Sequence, residues 1–262
     1  MKYKKKDKVS IIVVSLNTKK LFLKTINSIL KQKYKNFEII VVDGKSTDGT
    51  KEIILKKKKY FSNYIIEKDK GIYDAMNKGI TKSNGEWIIF MNSGDVFFNR
   101  LVLEKILIKN LSKIDIIFGD TLIDHKFMSV YKKSNHFQKY TVMMPFCHQS
   151  SLVKTHILKK NRFNLNYKLS SDFNFFFNSY NRKLKFHRYN GVISKVQALG
   201  QSDINRQKVF TENIKIFYKK KFYYNILFLI NLKNFELIKA IIKFCLPYNF
   251  VKYFLKFKYS KL

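Results

Sequence analysis

The chain has 262 residues, 46% of them hydrophobic, with 52 Lys and Arg against 18 Asp and Glu and a formal net charge of +34. That much apolar material supports a sizeable core, so global disorder is not expected, and no apolar run reaches the ~20 residues a membrane-spanning helix needs. The charge favours polyanionic partners such as nucleotides, anionic lipid or nucleic acid, although abundant Lys, Asn, Ile, Phe and Tyr beside scarce Ala, Gly, Pro and Arg mark part of it as compositional. Cys147 and Cys245 lie far apart without metal-ligand spacing, which fits a reducing compartment.

Basic residues precede Val9–Leu16, but the apolar run is short and Asn17-Thr18-Lys19-Lys20 offers no small-residue cleavage site. Val9–Ser15 therefore reads as a first buried strand, and the protein is expected to keep its N-terminus and remain cytoplasmic. Leu21–Gln32 carries apolar residues at helical spacing. Phe37–Asp43, FEIIVVD, is a second strand, and Thr47-Asp48-Gly49-Thr50 offers caps for a helix through about Lys58. Tyr64-Ile65-Ile66 is a third strand, Ile72–Thr81 a helix and Glu86–Met91 a fourth strand. Helix Leu101–Asn110 and strand Asp115–Phe118 follow. This βαβα order implies an α/β fold, a parallel sheet with helices on both faces. Further on, a helix capped by Ser170 or Ser171 continues through Phe175–Tyr180, and Phe186–Tyr189 and Val192–Ala198 read as two strands.

In such sheets ligands bind beyond the carboxyl ends of the strands, and here those ends are polar. The first strand ends in Ser15-Leu16-Asn17 and lacks the Gly-x-Gly-x-x-Gly turn of a dinucleotide fold, which argues against nicotinamide or flavin chemistry. The second ends in Asp43-Gly44-Lys45-Ser46. Asp43 can accept a hydrogen bond from a base or ribose, or simply make the turn; Asp48 reads as a cap. Asp69, Lys70 and Gly71 precede a helix whose N-terminal amides attract anions, and Asp74 and Asn77 share one face of it. Ile72, Met76 and Ile80 read as core, Lys78 and Lys82 as solvated. The fourth strand stops at Asn92-Ser93-Gly94-Asp95, which is either an ordinary turn or a carboxylate placed to meet a hard cation carrying phosphate oxygens.

Taken together, VSIIVVSLN, IIVVDGKSTDGT, EKDKGIYDAMNKGI and GEWIIFMNSGD resemble, in content and order, the family-two glycosyltransferases, and most of all the branch that builds bacterial capsule, O-antigen or exopolysaccharide. The resemblance covers about the first 200 residues, and Gly200-Gln201-Ser202 resembles the short loop that follows the last two strands in relatives. It implies a GT-A, Rossmann-type nucleotide-sugar-binding sheet, with a nucleotide-sugar half over about 1–120 and an acceptor half over about 121–203. It also implies roles. Asp43 matches the aspartate that contacts the base, with Ser15, Asn17 and Ser46 beside the nucleotide. Asp69, Lys70 and Gly71 match the segment passing nucleotide and donor sugar, with Asp74 and Asn77 on the next helix. Asn92, Ser93, Gly94 and Asp95 occupy the place of the Asp-rich metal motif. Asn92 and Gly94 stand where many relatives carry Asp, so Asp95 is the one strong ligand for Mn²⁺ or Mg²⁺ and the diphosphate would supply most of the rest. Asp172, in the first turn of its helix, matches the general base, after a His-Gln block met here as His148 and Gln149 on the acceptor or diphosphate side. Read without the resemblance, Asp172 is a helix-dipole partner contributing roughly 0.3–1 kcal/mol, and His148 has no zinc-ligand spacing.

The implied activity is inverting transfer of a sugar from a nucleotide diphosphate, UDP being the commonest, to a hydroxyl of a saccharide or lipid-linked glycan. Residues 204–262 alternate Lys with Phe, Tyr, Ile and Leu, with helical patterns at Ile226–Ile230 and Leu237–Leu246 and basic-aromatic alternation over Tyr248–Lys258. Such a basic tail either docks on an anionic leaflet, which would place the protein at the inner face of the plasma membrane, or packs as a solvated helical pair. The competing readings are an inactive relative, a nucleotidyltransferase, or a charge-driven binder of membrane or nucleic acid. A Gly-rich phosphate loop is missing for the second, and a recognition module for specific nucleic-acid binding is missing for the third.

Overall fold

A computed structural model describes residues 7–220, apart from 109, 110, 126, 139, 140 and 199. The chain divides into two units, residues 1–198 and 199–262. In the first, strands β1 (Val9–Ser15), β2 (Phe37–Asp43), β3 (Asn63–Ile66) and β4 (Trp87–Phe90) alternate with helices α1 (Lys19–Leu30), α2 (Thr50–Lys56) and α3 (Ile72–Lys82). The strands pair in parallel in the order β3-β2-β1-β4. Every residue of β1 and β4 is buried, as strands covered on both faces should be.

The two faces are covered by different helices. Ile11 and Val13 share a buried cluster with Phe22, Ile26 and Ile29 of α1. Ile12 points the other way, towards α3, where a Cβ added to Gly79 would stand 2.5 Å from Ile12 Cγ2. Gly79 thus lets α3 lie close against the sheet and sets how far its N-terminus projects over the strand ends. Phe90 pairs with Ile12 and so shares that face. It meets Phe163, which also contacts Tyr73 of α3 and Phe175, with ring centroids 5.3–5.8 Å apart.

The second half of the unit departs from a continuous parallel sheet. Strands β5 (Val96–Phe97), β6 (Ile116–His125), β7 (Met128–Lys132), β8 (Ser151–Lys154) and β9 (Phe186–Gln197), with helices α4 (Val102–Leu107), α5 (Thr155–Lys160) and α6 (Ser171–Asn181), complete it. β8 lies antiparallel between β4 and β6, β9 runs parallel to β6, and β5 and β7 pair antiparallel at the margins. The expected continuous parallel sheet therefore holds over β1 to β4, and beyond it only the β6–β9 pair is parallel among the described residues. The segments expected as two strands, Phe186–Tyr189 and Val192–Ala198, are one strand. Register shifts opposite Phe118–Thr121 absorb Asn190-Gly191 as a bulge instead of a turn.

α6 buries Phe173, Phe175, Phe176 and Phe177. Phe173 stacks on Phe177 at 5.4 Å and Phe176 meets Phe146 at 5.0 Å. At roughly 1.5–3 kcal/mol per buried large apolar side chain, these rings fix the N-terminus of α6 firmly. In the second unit α7 (Gln201–Ile204) and α8 (Arg206–Lys220) are helical. α7 begins where a loop was expected at Gly200-Gln201-Ser202. The helical patterns expected at 226–230 and 237–246, and the alternation over 248–258, lie outside the described residues. Among the described residues no helix is long and apolar enough to cross a membrane.

Candidate active site

The site grows from the strand ends. Ser15 and Asp43 are register partners, and the Ser15 hydroxyl donates to Asp43 Oδ2 at 2.8 Å. Ser46 donates to Asp43 twice, from its N–H to Oδ1 at 2.8 Å and from its hydroxyl to Oδ2 at 2.6 Å. The Ser46 oxygen accepts the Asn17 N–H at 2.8 Å, and Asn17 Oδ1 accepts the Thr47 N–H at 2.9 Å. Asn17 sits at φ 50°, a left-handed conformation that Asn tolerates better than most residues. The sequence-predicted Ser15, Asn17, Asp43 and Ser46 are thus one knot, in which Asp43 is wholly buried. Asp48 accepts the N–H groups of Thr50 and Lys19, at 3.0 and 2.9 Å. It ties the first turns of α2 and α1, as its reading as a cap anticipates.

Asp69 stands beside this knot: its Oδ2 would be 3.0 Å from a Cβ on Gly44. Its other oxygen meets Lys78 Nζ at 2.7 Å, and Lys78 also pairs with Glu67 at 2.9 Å and Asp74 at 3.3 Å. Lys78 is therefore the hub of three carboxylates, contrary to its reading as simply solvated. The Asp74–Lys78 spacing of four on a helix was the available signal. Ile72 is 40% exposed and not core, whereas Met76 and Ile80 are buried and Lys82 is exposed as expected. Burial, with the Asp74 and Glu67 charges, pushes the Asp69 carboxyl up despite Lys78. Burial also acts to raise Asp74, but the Lys70 N–H and Lys78 outweigh it and hold Asp74 below the usual range. Lys70 donates that N–H to Asp74 Oδ2 at 2.9 Å. Gly71, between them, has φ 114°, which only Gly adopts without strain. Asn77 turns away: its amide exchanges hydrogen bonds with the Phe163 backbone at 2.9 and 3.0 Å, so it anchors the segment before α6.

The Asn92–Asp95 turn is held from α1, a contact the sequence did not reveal. The Thr25 hydroxyl accepts the Gly94 N–H at 2.9 Å and donates to Asp95 O at 2.7 Å. Gly94 has φ 105°, and a Cβ there would stand 2.9 Å from Gln197 Cγ. An Asp at this position would be both strained and crowded, a local reason for the departure from an Asp-rich motif. Asp95 is buried, and burial pushes its carboxyl up to about 7 although His148, the Gln197 and Asn92 N–H groups and the Gln149 side chain oppose the shift. Asn92 Oδ1, Ser93 Oγ, Asp95 Oδ2 and His148 Nε2 are all buried without a hydrogen-bond partner. Orphaned polar atoms in one turn and its neighbour mark a place where a ligand belongs. Among the described residues no three His, Cys, Asp or Glu side chains could hold a metal by themselves. The oxygens of Asp95 and Asn92 do suit a hard cation that brings other ligands with it.

His148 acts electrostatically on Asp95 of this turn and touches Asp172 directly. Its Nδ1 lies 3.2 Å from Asp172 Oδ2. Asp172, in the first turn of α6, accepts the Tyr73 hydroxyl at 2.8 Å and the Phe173 N–H at 2.8 Å on Oδ1. Burial acts to raise Asp172, but His148, Tyr73 and the Phe173 N–H outweigh it and keep the carboxyl below the usual range. Tyr73 escaped the sequence reading because its partner lies 99 positions away.

The pattern of glycosyl transferase family 2 matches residues 10–187. A PGL/p-HBAD biosynthesis glycosyltransferase of Mycobacterium bovis is 25% identical over 193 residues, 70% of this chain and 74% of that protein. An uncharacterized glycosyltransferase of Rickettsia bellii is 37% identical over 116 residues, 44% of this chain but only 16% of the relative's length. Among solved structures, S. aureus TarS 1-349 in complex with UDP superposes with a TM-score of 0.61 at 19% identity, over 83% of this chain and 66% of that one. The mannosyltransferase PcManGT from Pyrobaculum calidifontis, in complex with GDP-Man and Mn²⁺, gives 0.62 at 15% identity over 80% and 65%. These likenesses match the GT-A fold, and with the family pattern spanning most of the first unit, the chain belongs to glycosyl transferase family 2.

Proposed function

We propose that this protein transfers a sugar, with inversion, from a nucleoside diphosphate donor, a UDP-sugar first among them, to a hydroxyl of a saccharide or lipid-linked saccharide. The observation that carries the reading is the placing of two carboxylates about His148: Asp95, on which His148 acts electrostatically, and Asp172, hydrogen-bonded to His148 Nδ1. It sets a carboxylate with orphaned neighbours where a diphosphate would lie, and a second, ionised carboxylate across from it. In an inverting displacement the acceptor oxygen attacks the anomeric carbon, the bond from that carbon to the diphosphate oxygen breaks, and the diphosphate leaves with the electron pair. Asp172 takes the proton from the acceptor hydroxyl, and its low pKa keeps it ionised at neutral pH. Asp69, with Oδ2 beside Gly44, accepts from the base or ribose. Asp43 acts one step back, holding Ser46 and Asn17 in place. The Lys70 and Gly71 segment lines the donor, and Ser93, His148 and Gln149 face the diphosphate side. Asp95 and Asn92 would hold Mn²⁺ or Mg²⁺, which when bound supplies positive charge against the departing diphosphate.

Structural neighbours support the substrate class: S. aureus TarS 1-349 forms complexes with UDP and with UDP-GlcNAc, and PcManGT one with GDP-Man and Mn²⁺. The basic, aromatic stretch after residue 204 fits docking on the anionic inner face of a plasma membrane, where a lipid-linked acceptor would be presented. Calorimetric titration with UDP and GDP, with and without Mn²⁺, tests the donor site. The reading expects one nucleotide to bind with Mn²⁺ and Asp95→Ala to weaken that binding at least about tenfold, one pair of charge-assisted contacts. Equal, salt-quenched binding of both nucleotides would sink it in favour of charge-driven association.

A further inference from the structure

We propose that Tyr73 is a positioning residue that couples the donor-binding segment to the Asp172 carboxylate. The proposal rests on the reading of Asp172 as the base. Tyr73 lies on the first turn of α3, two residues after Gly71, and is buried except for 7% of its surface. Its hydroxyl carries one proton and faces two acceptors, Asp172 Oδ1 at 2.8 Å and Leu169 O at 3.0 Å. It thus touches both the base and the loop leading into the base's helix. Its ring packs on Phe163, whose backbone is clamped by Asn77 one turn along the same helix. α3 accordingly holds the segment before α6 through Phe163 and α6 itself through Asp172, and the second contact ends on the reacting carboxylate.

Two consequences follow from the chemistry. A hydroxyl donating to a carboxylate stabilises its charged form, so Tyr73 favours the ionised state a base requires. Together with the Phe173 N–H it fills Oδ1, which leaves Oδ2, on the His148 side, to aim at the acceptor. Any shift of α3 on donor binding, at Lys70 and Gly71, moves Tyr73 and with it the base. The titratable groups set against Asp172 are Tyr73 from α3 and His148 from the turn at 148–150, so the effect of Tyr73 can be separated by holding His148 constant.

The test is direct titration of the Asp172 carboxyl carbon by NMR in protein labelled with ¹³Cγ-aspartate, the resonance being assigned by its loss in Asp172→Asn. In Tyr73→Phe, which keeps the ring against Phe163, the Asp172 midpoint should rise by about one pH unit, a tenfold change in proton affinity. Replacing Tyr73 with a ring-fluorinated tyrosine, a stronger donor, should move it down. These opposite shifts at unchanged fold, checked by thermal midpoint, support the coupling. An Asp172 midpoint that ignores both substitutions overturns it and leaves Tyr73 as an anchor for Leu169 alone. Because the titration needs no donor or acceptor, a positive result stands even if no sugar is transferred. With a turned-over UDP-sugar in hand, Tyr73→Phe should lower kcat about tenfold, raise the acid limb of the pH profile and leave donor KM within about twofold; a change in KM alone counts against the proposal.

Discussion

Replacing Lys78 with Met, which keeps the apolar stem and removes the charge, tests the three-carboxylate hub beside the donor segment. Lys78 is 21% exposed, Asp69 12%, Asp74 18% and Glu67 57%. Breaking a fully buried pair costs about 3–5 kcal/mol, and a fully exposed pair contributes about 0–1. Discounting Glu67 as solvent-screened, the loss should be about 2 kcal/mol, a fall in Tm of roughly 4–8 °C for a unit of this size. The pH dependence carries a sign. Lys78 is raised by its carboxylates above the usual lysine value, so it stays charged throughout the acid and neutral range, and the acid side of the profile is set by its carboxylate partners. Asp74 is lowered, so its contribution is present above about pH 4 and fades as pH falls through its folded pKa. Asp69 is raised, so its burial costs stability at neutral pH and relaxes on protonation. The gap between wild type and Lys78→Met should therefore be widest at pH 7 and close towards pH 3. Thermal melts by circular dichroism across that range read it out. Identical melts at pH 7, or a gap that persists unchanged at pH 3, would refute the reasoning.

Two further substitutions probe the frame. Gly94→Asp restores a carboxylate to the turn but places a side chain at φ 105° against Gln197; it should cost on the order of 1–3 kcal/mol of stability without tightening Mn²⁺ binding by calorimetry, and tighter binding with an unchanged melt would contradict this. Glu38, at the opposite, N-terminal end of the strands, accepts from Lys8, Ser10 and the Asn84 N–H at 2.6 Å each and from the Gly85 N–H at 3.1 Å. Burial acts to raise it, but those donors hold it below the usual range. Its contribution is thus present above about pH 4.3 and lost as pH falls through the lower folded value. Glu38→Gln should destabilise by about 1.5–3 kcal/mol at pH 7 and by much less at pH 3, as urea midpoints would show.

The nucleotide half was legible because its signals are local. VSIIVVS and FEIIVVD each carry an apolar IIVV stretch that ends in a polar residue, and both strands fall at the expected bounds. β8 was not legible: Ser151–Lys154 has two apolar residues, and only its partners Trp87–Ile89 and Ile116–Phe118, far off in sequence, make it a strand. Asn190-Gly191 carries a turn signature, yet pairing with β6 on both sides turns it into a bulge. The same division runs through the site. Asp43, Ser46 and Asn17 sit at strand ends that can be read in order, and Asp172 in the first turn of a helix. Tyr73, Thr25 and the anchoring role of Asn77 depend on contacts 67 to 99 positions away, where neither spacing nor propensity carries information. Lys78 is the exception, since its i,i+4 acid was in plain sight.

The account's central claim is that Asp95 and Asp172 serve the two sides of one sugar transfer. Release of nucleoside diphosphate from UDP-, GDP- and dTDP-sugars, with Mn²⁺ or Mg²⁺ and a membrane lipid extract as acceptor, measures it most directly. The account predicts turnover of one donor class, abolished in Asp172→Asn with donor binding retained, and lost together with metal-dependent donor binding in Asp95→Ala. Turnover that survives Asp172→Asn at the wild-type rate, or a wild-type protein that binds no donor in the panel, would contradict it.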